Sequence, residues 1–165
     1  AVVYTHGSAP GCCGGSFVPG VSETTIEYNT DVSRAIISLI ASGTADRTPN
    51  VRYVMSHGGG TIIGLAGRFL GAQASAENLA RTPEPNSRLH HLRRFYYDTA
   101  ASTNPVIIEA LKRMVGASQI LFGTDYPFVS SAAIAANLRN TGLTPLEMAG
   151  VDRSNAARIY PYLAS

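Results

Sequence analysis

His6, His57 and Asp125 each follow a short apolar run in this sequence, and Asp98 closes another. Imidazole nitrogens and a carboxylate oxygen are the donors that hold a divalent ion such as zinc. An ion held that way lowers the pKa of its bound water, and an imidazole or carboxylate beside it moves protons. Each residue also has a plainer reading. A histidine after a strand is commonly just a hydrogen-bonded side chain. Asp125 could cap a turn before Pro127, and Asp98 could cap the following turn through Thr99, which is the preferred reading for Asp98. The shared position of the residues, rather than any one of them, favours a site, because no compact signature such as H-E-x-x-H is present.

Other reactive side chains fit chemistry less well. His90 and His91 lie among arginines and read as a solvated face. Cys12 and Cys13 are adjacent, and a bridge between neighbours is strained, so they read as two free thiols of a reducing compartment. Zinc sites ordinarily use spaced cysteines, which these are not.

Four strand-then-helix units position the candidates. The strands are expected at residues 1–5, 51–56, 95–98 and 119–123, with His6, His57, Asp98 and Asp125 at or just past their ends. A Gly/Pro/Cys loop, residues 7–23, follows the first strand. The first long helix is expected from near Thr30, where Val32, Ala35, Ile36, Leu39 and Ile40 recur at helical spacing, and Gly43 should end it. A second helix carries Ile62, Ile63, Leu65, Ala66, Phe69 and Leu70. Residues 73–94 form a polar excursion with a short helix near 88–94. Asn104 and Pro105 open the third long helix, and Thr144 to Glu147 read as a capping box. Further helices are expected over 131–140 and 152–160.

Strands alternating with helices imply an α/β protein with a parallel sheet, whose ligands bind at the C-terminal strand ends. An open doubly wound sheet and part of a (β/α)8 barrel both fit. Gly58–Gly60 does not supply the G-x-G-x-x-G loop that the first would carry.

Composition narrows the classes. The chain has 165 residues, 45% hydrophobic and 15% charged, which suits one folded domain. A net charge of +2 with scattered arginines argues against nucleic acid. No apolar run reaches the roughly 18 residues of a membrane helix, and the first residues lack the basic segment and apolar core of a signal peptide. A cytoplasmic protein is expected. The chain opens inside a strand-like run without Met, which reads as a cut within a longer protein.

Longer strings carry a resemblance. Ser56-His57-Gly58-Gly59-Gly60 followed by Gly67-Arg68 resembles the sixth-strand motif of the amidohydrolase-related decarboxylases. Tyr97-Asp98-Thr99-Ala100 is similar to their seventh strand, and Leu121-Phe122-Gly123-Thr124-Asp125-Tyr126-Pro127-Phe128 to their eighth. Asn155-Ala156 before Arg158 and Pro161 resembles their closing helix. The group includes decarboxylases of aminocarboxymuconate semialdehyde and of salicylate- and resorcylate-type acids.

The resemblance implies a single partial domain, residues 1–165, holding strands five to eight of a metal-dependent TIM-like barrel. It implies His6 and Asp125 as ligands of one divalent ion, zinc or manganese, and His57 as the catalytic histidine. Arg68 would hold a substrate carboxylate at a neighbouring subunit's site, in a homodimer of the full-length parent. The activity implied is non-oxidative decarboxylation of a small aromatic or unsaturated carboxylic acid. A lactone or amide hydrolase and an inactive remnant are the alternatives. The first-strand His-x-His of the family is absent, and Gly7 stands where the family often has proline. Metal binding by this piece alone is therefore expected to be weak.

Overall fold

A computed structural model of the chain describes residues 1–12 and 16–163. Strand β1 is Val2–Thr5. Helix α1 follows at Glu23–Ala41, seven residues earlier than its apolar stripe suggests. The Ser22 hydroxyl accepts from the Thr24 N–H, and Glu23 sits in the positive first turn. The first two turns are largely polar, which is why periodicity alone starts the helix too late. Val32, Ile36 and Ile40 form its buried stripe, and Gly43 after it adopts φ 71°.

A one-turn α2 (Thr44–Arg47) leads to β2 (Arg52–Met55), then α3 (Ile62–Leu70). The polar excursion contains α4 (Ala76–Ala80) and α5 (Arg88–Arg94). Strand β3 is Tyr96–Asp98, and α6 (Pro105–Val115) begins as expected, with Asn104 accepting from the Ile107 N–H. Strand β4 is only Ile120–Leu121. Gln119 belongs to a 3-10 turn, and the Phe122 N–H turns away to the Val151 carbonyl. Then come α7 (Ser131–Leu138), α8 (Pro145–Ala149) and α9 (Asn155–Ile159). The expected capping box is present in α8, whereas the expected helix over 152–160 begins as a π turn, Gly150–Ser154.

The four strands are parallel in the order β1-β2-β3-β4. Side chains alternate between the two faces. Tyr53, Met55, Tyr97 and Ile120 join the large core with residues of α1, α3, α5, α6 and α7. Val54, Tyr96 and Leu121 point the other way and meet Ile159 of α9, with Val2, Ala156 and Tyr160 beside them. The crossover helices therefore cover one face only. A doubly wound sheet would carry them on both, so the architecture is half of a (β/α)8 barrel. The Asn155 amide donates to the carbonyls of Ala117 and Ile120, at 2.9 and 2.8 Å, and ties α9 to β4.

Two expectations about side chains also fail. His91 is 1% exposed rather than solvated, and its Nε2 lies 2.9 Å from an Asp46 oxygen on α2. Spacing alone could not show that α2 packs over this turn of α5. Cys12 is disulfide-bonded rather than a free thiol; Cys13 lies outside the described residues.

Candidate active site

Each candidate side chain is delivered by the backbone just beyond a strand. His6 follows β1 directly, and His57 follows β2 after Ser56. His57 and Asp125 have φ of 54° and 63°, in the left-handed region that side chains other than glycine rarely occupy. Such outliers gather where a side chain must be aimed. Gly58, Gly59 and Gly60 continue at positive φ. A Cβ on Gly60 would lie 1.9 Å from the Asn29 carbonyl oxygen, so glycine is what lets α1 come this close.

His6, His57 and Asp125 each offer a donor atom within 4.8 Å of the others. His6 is exposed, Asp125 is half-buried and His57 is 9% exposed. The Nδ1 of His6 lies 2.7 Å from the Gly7 carbonyl, and that of His57 lies 3.1 Å from the Ala100 carbonyl. A carbonyl only accepts, so each Nδ1 carries the hydrogen. In the neutral rings both Nε2 atoms then present lone pairs, and these face each other 3.1 Å apart. Opposed lone pairs repel unless a metal ion or a proton lies between or beside them. Two neutral imidazole nitrogens and a carboxylate suit a divalent ion, and the carbonyl-fixed tautomers are the usual support of metal-binding histidines.

These three residues line a cavity of about 460 Å³ together with Tyr28, Asn29 and Phe128. The last three were missed by sequence reasoning; Tyr28 and Asn29 arrive from the early turns of α1, which apolar periodicity does not register. Asp125 does shape its turn, but with its carbonyl, which accepts from the N–H groups of Phe128 and Val129. Its carboxylate is left for the cavity. Arg68 is not brought to this cavity; it is exposed on α3.

Asp98 is not one of the three cavity donors. It is 3% exposed on the inner face below them, and caps through the Ala100 N–H rather than through Thr99. Burial raises its pKa, opposed by hydrogen bonds from Tyr4, Ala100 and His57. Tyr4, also overlooked in the sequence, has its phenol pKa raised by burial and then by the neighbouring Asp98 charge.

The profile of the family described as Amidohydrolase matches residues 5–162. Decarboxylase yanB of Aspergillus niger is 32% identical over 124 residues, covering 73% of this chain and 33% of that protein. The 6-methylsalicylic acid decarboxylase of Penicillium expansum is 33% identical over 110 residues, covering 66% and 33%. The chain thus spans about a third of the length of these relatives. Among solved structures, a dihydroxybenzoic acid decarboxylase of Polaromonas sp. JS666 with bound manganese superposes with a TM-score of 0.74 at 18% identity. That match covers 96% of this chain and 49% of the other, as half a barrel should. No helix among the described residues is long and apolar enough to cross a membrane.

Proposed function

The chain belongs to the amidohydrolase family, and on that premise we propose that it carries part of a metal-dependent decarboxylase acting on small aromatic carboxylic acids. In this reading residues 1–165 are one partial barrel domain, strands five to eight. The observation that carries the site is the pair of Nε2 atoms 3.1 Å apart, beside Asp125, at the C-terminal strand ends. The relatives' names supply the substrate class, aromatic acids such as 6-methylsalicylate and dihydroxybenzoate.

His6 and Asp125 would hold one divalent ion, with manganese favoured by the Polaromonas structure and zinc also suited to the donors. Such an ion acts as a Lewis acid and orients substrate oxygens. Decarboxylation breaks the bond between ring carbon and carboxylate, and the electron pair of that bond ends in a new C–H bond. One proton is consumed and carbon dioxide leaves. His57 is the group that relays this proton: Nδ1 stays committed to the Ala100 carbonyl, so the Nε2 that faces the cavity first takes a proton from solvent and then gives it to the ring carbon. Tyr28 and Phe128 offer flat apolar surface for a ring. Arg68, exposed on α3, would serve a neighbouring subunit's carboxylate in a homodimer of the full-length parent.

A cytoplasmic setting belongs to the same reading. Cell fractionation with thiol trapping decides that point.

The test of the site uses the full reading frame, loaded with manganese or zinc and supplied with 6-methylsalicylate or 2,6-dihydroxybenzoate. Carbon dioxide release is expected, with ring opening or amide cleavage of other substrates marking the hydrolase alternative instead. His6→Ala and Asp125→Ala should lose both metal and activity. His57→Ala should keep most of the metal while turnover falls at least about 100-fold, the scale of a lost proton-transfer group. If His57→Ala strips the metal and His6→Ala does not, the roles are assigned wrongly.

A further inference from the structure

Beneath the two histidines lies a buried carboxylate with no part in the chemistry described so far. Asp98 ends β3, and one of its oxygens accepts two backbone hydrogen bonds, from the N–H of His57 at 2.9 Å and from the N–H of Ala100 at 2.9 Å. The other oxygen accepts from the Tyr4 hydroxyl. Gly123 closes over the group, since a Cβ there would stand 2.9 Å from the Asp98 Cβ.

We infer that Asp98 is a positioning residue, which holds His57 so that Nε2 faces the cavity. The inference rests on the proposed role of His57. Its argument is one of shared fixing points. His57 sits at φ 54°, a conformation that needs outside support. Support comes at two places, its backbone N–H on Asp98 and its Nδ1 on the Ala100 carbonyl. The residue bearing that carbonyl is tied through its own N–H to the same Asp98 oxygen. A single oxygen therefore fixes both the backbone of the histidine and the group that selects its tautomer. Removing it leaves two N–H donors in a buried place without an acceptor, and both fixing points loosen together.

A positioning role and a direct proton-carrying role separate on the amide. The oxygen of an asparagine accepts from both N–H groups, and its NH2 donates to a Tyr4 hydroxyl that then acts as acceptor. An asparagine cannot deliver a carboxylic proton. The experiment compares Asp98→Ala, Asp98→Asn and Tyr4→Phe in the manganese-loaded full-length protein. Asp98→Ala is expected to lower kcat about 100-fold, the scale of a misaimed group. Its KM and bound manganese should stay within about twofold, since neither reports the aim of His57. Asp98→Asn should recover most of the loss, and Tyr4→Phe should stay near wild type.

Nitrogen-15 imidazole spectra of the metal-free protein, recorded with the histidines neutral, supply a readout independent of turnover. His57 should show one Nδ1–H tautomer in wild type and Asp98→Asn, and a mixture in Asp98→Ala. An Asp98→Asn as impaired as Asp98→Ala overturns the inference in favour of direct chemistry. So does an Asp98→Ala that keeps both kcat and the single tautomer. If Asp98→Ala does not fold, Asp98→Asn decides alone: retained kcat and tautomer support positioning, and loss of either refutes it. If no acid is decarboxylated by wild type, the decarboxylase reading fails, while the tautomer spectra still judge the brace.

Discussion

Gly60 is the residue on which the approach of α1 to the site turns. Its backbone, at φ 65° and ψ −127°, is one that side chains avoid, and its absent Cβ leaves room for the Asn29 carbonyl. Gly60→Ala should cost about 2–5 kcal/mol, combining backbone strain with overpacking, as read by urea denaturation. The same change pushes α1 outward and takes Tyr28 and Asn29 away from the cavity. A variant as stable as wild type would show that α1 is placed by its apolar stripe alone. The glycine string was legible in the sequence as a motif. Why its third glycine matters was not, because Asn29 lies thirty-one positions earlier in the chain.

At the scale of elements, the end of the chain is organised by the cap of α8. The Glu147 carboxylate accepts from the Thr144 N–H at 2.9 Å, and Lys112 of α6 reaches the same oxygen at 3.1 Å. The backbone bond from Thr144 holds its pKa below the ordinary value, with Lys112 adding to the effect. A depressed carboxylate pKa means that the unfolded chain takes up the proton first as pH falls. The contribution of Glu147 is therefore complete above the unfolded carboxylate range and is lost as pH falls through the folded value. Glu147→Gln should be less stable than wild type at neutral pH, with the gap closing in acid. Denaturation series at several pH values measure it, and a gap that widens in acid contradicts the assignment. Local signals announced this cap, since Thr144 and Glu147 stand three apart. They did not announce Lys112, which arrives from another helix.

At the scale of the whole molecule, the described residues form one sheet with β1 and β4 on its outside. Among the described residues β1 and β4 have one neighbouring strand each. Val3, Tyr4 and Phe122 on or next to these edges are 41%, 54% and 37% exposed, although all three are large and apolar or aromatic. Unpaired strand edges beside apolar surface invite association. Sedimentation of the 165-residue chain should show concentration-dependent species larger than a monomer. Val3→Lys, a charge on the edge strand, should shift the distribution toward monomer. A stable wild-type monomer at all concentrations would mean that these edges are satisfied in some other way.

The sequence by itself determined the alternation of strands and helices, the family strings and the ranking of His6, His57 and Asp125 above the other polar residues. Each of those rests on order along the chain: apolar runs, helical spacing, and polar residues just beyond strands. Only the tertiary structure decided that the helices share one face, which separates half a barrel from a doubly wound sheet. It alone set the two Nε2 atoms against each other, because their tautomers are chosen by carbonyls of Gly7 and Ala100. It also showed that Asp98 caps its turn through Ala100 while holding the His57 N–H beneath the site, and it took His91 into the core. Burial and hydrogen-bond partners are properties of residues brought together from distant positions, and spacing along one strand or helix carries no record of them.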